Sequence, residues 1–190
     1  EQLKSELPAD QQSRFHYRKC DVSVENDIVQ TFAWIEEKLG GTDVLVNNAG
    51  IVRPTQIVAE SNTADLKAIL DTNVLGVALC TREAFRSMKK RNFDGHVVII
   101  NSVVGHSVPM VPGYSLNMYP PSKHAITAMT EILRQEFMVN ETKIKITVSQ
   151  FKSYLKSWFN FVYSFRASVL ELWILKLLVI DQDCPRISHF

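Results

Sequence analysis

Short apolar segments alternate along this chain with longer segments whose apolar residues recur at helical spacing. The short segments have the composition of β-strands and comprise residues 15–22, 43–50, 95–102 and 143–149. The longer segments predict amphipathic helices and comprise residues 22–40, 63–91 and 122–140. Gly40 and Gly41 give the first helix a stop signal, and the second is predicted to break near residues 71–73.

This alternation of strands and helices predicts an α/β fold with a mostly parallel sheet. The apolar runs VLV and VVII suit strands that are covered on both faces. In such sheets, ligands bind at the carboxyl ends of the strands. Three polar motifs fall at predicted strand ends, namely Asp21, Asn47 to Gly50, and Ser102. The sequence therefore predicts a ligand site at this edge of the sheet.

Length and composition are those of a globular protein with one domain. The 21 basic residues are balanced by 20 acidic residues, and this net charge of +1 argues against a dedicated nucleic-acid binder. Cys20, Cys80 and Cys184 are odd in number and widely spaced, so they predict neither a disulfide framework nor a metal site. A reducing compartment, the cytoplasm, is therefore expected.

The stretch YPPSK places Tyr119 four residues before Lys123, and residues at this spacing share one face of a helix. A neighbouring ammonium favours the phenolate, so Lys123 is expected to lower the pKa of Tyr119. Such a pair can donate a proton to a carbonyl oxygen or accept one from an alcohol. Taken alone, the motif fits an exposed tyrosine and a solvated lysine better. Tyr114 is a rival, but Met118 stands four residues beyond it.

Other candidate residues each have a structural alternative. Ser102 could polarise a substrate oxygen, or it could simply end a strand and begin a turn. In NNAG, Asn47 offers amide groups and Gly50 allows close backbone approach, but a plain Asn/Gly turn also fits. Asp21 could accept a hydrogen bond from an adenine amino group, cap the next helix, or do both. A kink at Asn73 could hold a water, and a tolerated surface asparagine is the alternative.

The order of these motifs is more informative than any one of them. CDV, NNAG, TNVLG, NS at a strand end and YxxxK at a helix start follow one another between about residues 1 and 149. This arrangement resembles the short-chain dehydrogenase/reductase family of classical type. The segment INSVVGH…YPPSKHAITAMTEILRQE is most similar to the farnesol dehydrogenase-like or dehydrogenase/reductase member 11-like branch of that family.

The resemblance implies a Rossmann-like, doubly wound parallel sheet and an NAD(P)-dependent oxidoreductase that interconverts an alcohol and a carbonyl. Tyr119 would be the general acid/base, and Lys123 would lower its pKa and bind the nicotinamide ribose. Ser102 would orient the substrate oxygen, and Asn73 would hold the water of a proton relay.

The resemblance also implies where the cofactor would lie. Asp21 and Val22 would contact the adenine, while Asn47, Ala49 and Gly50 would line the cofactor path. Membership of this branch favours NADP, with NAD possible. It also implies a homo-oligomer built through helices 72–91 and 122–140.

Two departures from the family pattern stand at the ends of the sequence. The family's phosphate loop, TGxxxGxG, should precede residue 1, so residues are expected to be missing upstream and the Rossmann unit to be incomplete. After KIKITVS the family's Pro-Gly turn is replaced by QFKSYLKSWFNF. We therefore expect a partial family domain over residues 1–149 and an atypical tail over residues 150–190. The tail would arise from a transcript or gene-model error, or it would be a genuine new tail.

Loss of a mid-sheet strand exposes neighbouring strand edges, so this polypeptide is expected to be unstable or cofactor-free.

The expected substrate is an apolar alcohol or ketone of terpenoid, steroid or retinoid type. Apolar residues between 103 and 118 either line such a site or pack within their loop, and they are Val103, Val104, Val108, Met110 and Val111. One alternative is a catalytically inactive form of the fold that acts through protein contacts or not at all. Another is membrane attachment through residues 151–180, where scattered charges argue against a spanning helix.

Overall fold

The computed structural model describes residues 8–110, 112–151 and 177–180. Residues 1–7, residue Val111 and most of the predicted 150–190 tail therefore lie outside the described residues. The described helices are α1 (Ala9–Gln12), α2 (Glu25–Leu39), α3 (Thr63–Leu70), α4 (Val77–Lys90) and α5 (Tyr119–Val139). A π-helical segment, Asp71–Gly76, joins α3 to α4, and a 3-10 turn, Val103–Gly105, follows the second strand.

The strands form one parallel sheet, as the sequence predicts. They are β1 (Val44–Asn47), β2 (His96–Ser102), β3 (Lys145–Phe151) and β4 (Leu177–Ile180). Their spatial order is β3-β2-β1-β4, and every pair runs parallel. The carboxyl ends of β1 and β2 consequently lie at the same edge of the sheet, where Asn47 pairs in register with Ile99.

Two expectations about strands are wrong. Residues 15–22 form no strand, because no described strand lies beside them to complete a hydrogen-bonded ladder. The strand β1 is not left with an open edge, since β2 pairs with one side of it and residues 177–180 of the tail pair with the other.

The helix α2 illustrates how local sequence sets these elements. Ile28, Phe32 and Ile35 recur at helical spacing and are buried against the core. The helix ends at Gly40, which takes a left-handed conformation with φ of 74° and donates its backbone N–H to Glu36. A left-handed C-terminal residue is favoured when it is glycine, because glycine has no Cβ to clash.

The core lies between the sheet and its helices. Leu45, Val97 and Ile99 of the central strands are fully buried. The helices α4 and α5 meet above them through Phe85 and Phe137, whose rings stack with centroids 5.1 Å apart.

A polar cluster holds the opposite, amino end of β1. The guanidinium of Arg91 donates to Asp43 Oδ1 at 2.7 Å and to the carbonyl of Thr42. The hydroxyl of Ser87 accepts the Thr42 N–H at 3.0 Å and donates to Glu36. The ends of α2 and α4 are thereby tied to the start of β1.

Within the described part of the chain, no helix is long and apolar enough to cross a bilayer.

Candidate active site

The predicted motifs converge at the carboxyl edge of the sheet. The strand β2 ends at Ser102, and α5 begins at Tyr119 with Pro120 and Pro121 in its first turn. Proline is well tolerated there, because the first N–H groups of a helix have no intrahelical partner. The Ser102 side chain lies close enough to the Tyr119 phenol to lower the pKa of that phenol.

Burial governs the phenol of Tyr119. Desolvation raises its pKa above the ordinary value, and the neighbouring Ser102 side chain offsets only part of this rise. The net change of this pKa is therefore upward, whereas the pairing with Lys123 alone predicts a downward change. Its ammonium lies 5.7 Å from the centroid of the phenol ring and donates instead to the carbonyl of Ile100 at 3.0 Å.

Lys123 is itself buried, with only 7% of its surface exposed. Burial disfavours the ammonium, and it lowers the pKa of Lys123 from 10.5 to about 8. The Lys123 amine consequently lies beneath Tyr119. It carries a positive charge at low pH and is a mixture of charged and neutral forms at neutral to mildly alkaline pH.

Asn73 lies in the π-helical segment, which coincides with the predicted helix break. Its Oδ1 accepts the Ile51 N–H at 2.8 Å, and its Nδ2 donates to the Ile51 carbonyl at 2.9 Å and to Ser122 Oγ at 3.1 Å. It is 1% exposed, so the alternative of a surface asparagine is wrong. Both donors of its amide bind protein groups, so a water could bind Asn73 only through an acceptor, either the second lone pair of Oδ1 or the main-chain carbonyl. Single π-turns inside α-helices are frequent at functional sites.

Gly50 brings the NNAG motif to the same place. A Cβ added to this glycine would lie 3.6 Å from Asn73 Oδ1 and 3.8 Å from Lys123 Nζ. The loop after β1 therefore borders the lysine directly. Asn47 has a structural role at the same edge, since its Nδ2 donates to Thr81 Oγ1 at 3.0 Å and its side chain is buried. Ala49 is also buried.

The segment at Asp21 and Val22 packs against the π-helical segment. A Cβ on Gly76 would lie 2.8 Å from the Val22 carbonyl oxygen, so only glycine allows this approach. Val22 is 2% exposed and its side chain belongs to the core, so this residue could meet a ligand only through its backbone. Asp21 Oδ1 accepts the N–H and hydroxyl of Ser23, at 2.9 and 2.6 Å. The N-cap of α2 is Val24, so Asp21 is not the helix cap.

Sequence reasoning missed the residues that hold these motifs together. Asn117, two residues before Tyr119, is buried in a left-handed conformation with φ of 51°. Its Nδ2 donates to Thr55 Oγ1 at 2.5 Å, and Thr55 in turn donates to Asp65 at 3.1 Å. Asparagine tolerates the left-handed region, which was the available signal. The rival Tyr114 is 44% exposed.

The loop between Ser102 and Tyr119 carries the predicted apolar residues. Val103 and Val104 are half-buried, while Val108 and Met110 are 66% and 93% exposed.

Among the described residues, no group of three or more His, Cys, Asp or Glu side chains could hold a metal ion.

Comparisons with known proteins agree with this arrangement. The family model described as short chain dehydrogenase matches residues 1–152. The chain is 53% identical over 147 residues to a farnesol dehydrogenase of Aedes aegypti, covering 77% of this chain and 59% of that protein. It is 43% identical over 130 residues to dehydrogenase/reductase SDR family member 11 of Mus musculus, covering 68% of this chain and 49% of that protein. The chain thus spans about half to three fifths of the length of these relatives.

Solved structures show the same fold. A short-chain dehydrogenase/reductase from Burkholderia phymatum in complex with NAD superposes with a TM-score of 0.63 at 28% identity, covering 70% of this chain and 46% of the other. The structure of ElxO with NADP bound gives a TM-score of 0.62 at 27% identity, covering 80% of this chain and 60% of the other. Because the family model matches residues 1–152 and the two relatives are 53% and 43% identical over more than two thirds of this chain, the chain belongs to the short-chain dehydrogenase family.

Proposed function

We propose that this protein is an NAD(P)-dependent oxidoreductase that interconverts an alcohol and a carbonyl on an apolar substrate. The observation that carries the proposal is the position of the Ser102 side chain beside the Tyr119 phenol, with Lys123 buried beneath it. These three groups occupy the carboxyl edge of a parallel sheet, where ligands of such folds bind.

The residues divide the proton chemistry among them. Because burial holds the pKa of Tyr119 above its ordinary value, the phenol is protonated at neutral pH and is ready to donate to a carbonyl oxygen. Ser102 is placed to hold that oxygen beside the phenol. Lys123 places positive charge where a phenolate would form, which favours loss of the proton during the reaction. Asn73 fixes the loop after β1 and offers its main-chain carbonyl to a relay water.

A nicotinamide cofactor fits the described residues in part. When bound, it would supply or accept the hydride. Gly50 leaves room beside Lys123 Nζ, so a ribose hydroxyl there would meet the lysine and Tyr119. We assign Asp21 and the Val22 backbone to the adenine, and the loop Asn47–Gly50 to the path between. None of the described residues is assigned to the pyrophosphate.

The cofactor is proposed to be NADP, with NAD possible. The similar solved structures hold NADP in one case and NAD in another. The substrate is proposed to be a terpenoid alcohol of the farnesol class or a similar apolar molecule. The farnesol dehydrogenase relative supports this class, as do the exposed apolar side chains of Val108 and Met110 in the loop beside the catalytic residues.

The test is a cofactor titration followed by a turnover assay. Purified protein is titrated with NADPH and then NADH while the fluorescence of Trp34, Trp158 and Trp173 is recorded. Oxidation of farnesol with NADP is then followed by the absorbance of the reduced cofactor. Saturable binding and turnover are expected, since the pairing of residues 177–180 with β1 removes the open strand edge from which an unstable or cofactor-free chain was expected. Binding without turnover on farnesol, a steroid alcohol and a retinoid would instead favour the inactive, protein-binding alternative, and absence of binding to either cofactor would refute the proposal.

A further inference from the structure

We infer that Asn101 and Thr127 are positioning residues that lock the end of β2 onto the start of α5, and thereby hold Ser102 beside Tyr119 and Lys123. The catalytic consequence of this lock rests on the proposed function. The lock itself is defined by hydrogen bonds of Asn101 and Thr127, two residues to which the family resemblance assigns no role.

Asn101 is the first half of the lock. It is 3% exposed and immediately precedes Ser102 in the chain. Its Nδ2 donates to the Lys123 carbonyl at 3.3 Å and to Thr127 Oγ1 at 3.1 Å. A carbonyl can only accept, so the nitrogen of the amide must face the helix. Anchoring Asn101 fixes the main chain from which Ser102 projects.

Thr127 is the second half. It lies one turn beyond Lys123 on α5, and its hydroxyl is within bonding distance of the Gly105 carbonyl at 3.1 Å and the Lys123 carbonyl at 3.2 Å. The same oxygen accepts the bond from Asn101. One hydroxyl therefore joins the strand end, the turn after it and the helix.

The backbone of the turn packs directly onto the helix at this point. A Cβ on Gly105 would lie 2.7 Å from the Lys123 carbonyl oxygen and 2.9 Å from Asn101 Nδ2. Lys123 is consequently held at both ends, since its carbonyl meets Asn101 and its Nζ donates to the Ile100 carbonyl. Two consecutive residues of β2 thus set the position of the catalytic lysine.

The arrangement is poorly suited to stability alone. The Oδ1 of Asn101 is buried and has no hydrogen-bond partner among the described residues. A buried acceptor without a partner destabilises the folded state, so an apolar residue would serve a purely structural contact better. The site instead uses the amide N–H groups of Asn101, which bind the Lys123 carbonyl and the Thr127 hydroxyl.

The test replaces Thr127 with valine, which keeps the shape and removes the hydroxyl. Thr127→Ser restores the hydroxyl. Thr130→Val is the matched control, because Thr130 lies on the same helix and its hydroxyl donates only within the helix, to Ile126 at 2.8 Å. Asn101→Asp, which removes the amide donors at constant shape, repeats the test from the strand side.

Two readouts are recorded for each variant. The first is the pKa of Lys123, measured by NMR of protein labelled with 13C at lysine Cε and assigned by the signal missing in Lys123→Met. Loosening the lock lets water reach the amine, so Thr127→Val is expected to raise this pKa by about one unit. The second is turnover, where kcat is expected to fall about tenfold with little change in KM, since misplacement of reacting groups affects the chemical step.

Thr127→Ser and Thr130→Val are expected to leave both readouts unchanged. Equal effects of Thr127→Val and Thr130→Val, or a loss of thermal stability with no change in the Lys123 pKa, would overturn the inference. The NMR readout needs no activity, so a shift of the Lys123 pKa in a protein without turnover would support the lock while refuting the proposed function. Turnover that survives Thr127→Val and Asn101→Asp would support the proposed function while refuting the lock.

Discussion

Burial, more than mutual charge, sets the properties of the two central residues of the site. It raises the pKa of the Tyr119 phenol and lowers that of the Lys123 amine, so both neutral forms are favoured. The sequence motif predicts that the two residues share a helix face, which is correct, but it carries no information on how deeply the helix start is buried. The sign of the pKa change at Tyr119 therefore had to come from the structure.

Replacing Tyr119 with phenylalanine removes the proposed proton donor while keeping the ring. General acid catalysis contributes about 10²–10⁴-fold, so kcat is expected to fall by that factor. The measurement is steady-state oxidation of farnesol with NADP. Tyr114→Phe is the control, because Tyr114 is exposed and is expected to leave kcat unchanged. Equal activity of the two variants would exclude Tyr119 as the general acid/base, which accepts the alcohol proton in this direction of the reaction.

The amine of Lys123 predicts a pH-dependent stability. Its pKa is about 8 in the folded protein, and an unfolded lysine has a pKa of about 10.4. Between these values the unfolded chain binds more protons, so the free energy of unfolding rises with pH. The penalty of burying the ammonium is complete below about pH 8 and is relieved as the pH rises towards 10.4.

Urea unfolding of the wild type and of Lys123→Met at pH 7 and 9.5 measures this effect. The difference in free energy of unfolding is expected to shift by about 2 kcal/mol in favour of the wild type at the higher pH. The raised pKa values of Tyr119 and Cys80 act in the opposite direction, but they are present in both proteins and cancel. A constant difference across this range would show that Lys123 titrates normally.

The predictable residues of the site are those with a local signature. Tyr119, Lys123, Ser102 and Asn73 stand in short motifs, and the structure brings them together. Asn101 belongs to the NS motif but was given no role, and Thr127 lies outside the motifs. Their bonds join segments more than twenty residues apart, which no local pattern reports.

Elements with their own stop and start signals were predicted well. The end of α2 at Gly40, the break after α3 and the start of α5 near YPPSK all have a local chemical cause. The strand expected at residues 15–22 was wrong because a strand also needs a neighbour, and local composition does not supply one. The contact between Val22 and the π-helical segment is another such tertiary effect.

That contact makes Gly76 sensitive to substitution. Alanine normally stabilises a helical position by about 1 kcal/mol relative to glycine. Here its Cβ would lie 2.8 Å from the Val22 carbonyl oxygen, so Gly76→Ala is expected to destabilise the protein by about 1–3 kcal/mol. Chemical denaturation gives the value, and Leu75→Ala serves as control because Leu75 is exposed in the same segment. A rise in stability for Gly76→Ala would contradict the packing described.

Over the whole molecule, the exposed face of α5 predicts self-association. Ile132 and Val139 are 53% and 82% exposed, and the family resemblance implies an oligomer built through this helix. We expect sedimentation to show a dimer or larger species at micromolar concentration. Ile132→Lys should shift it towards monomer, because a charge in a buried apolar interface is costly.

Val29→Lys is the control for this experiment. Val29 is an apolar residue of similar exposure, 41%, but it lies on α2. Sedimentation of this variant should match that of the wild type. A monomeric wild type, or an equal response of the two variants, would exclude α5 as the interface.

The all-parallel sheet also has a consequence for how the chain reaches its native state. No two described strands form a hairpin, and about fifty residues separate the paired positions Val44 and His96, with a similar distance from His96 to Lys145. Every strand pairing must therefore close a long loop before any ladder bond forms, which makes folding slow. During synthesis β1 emerges well before either partner strand, so its edges stay open for seconds and the nascent chain is exposed to aggregation at VLV until β2 arrives.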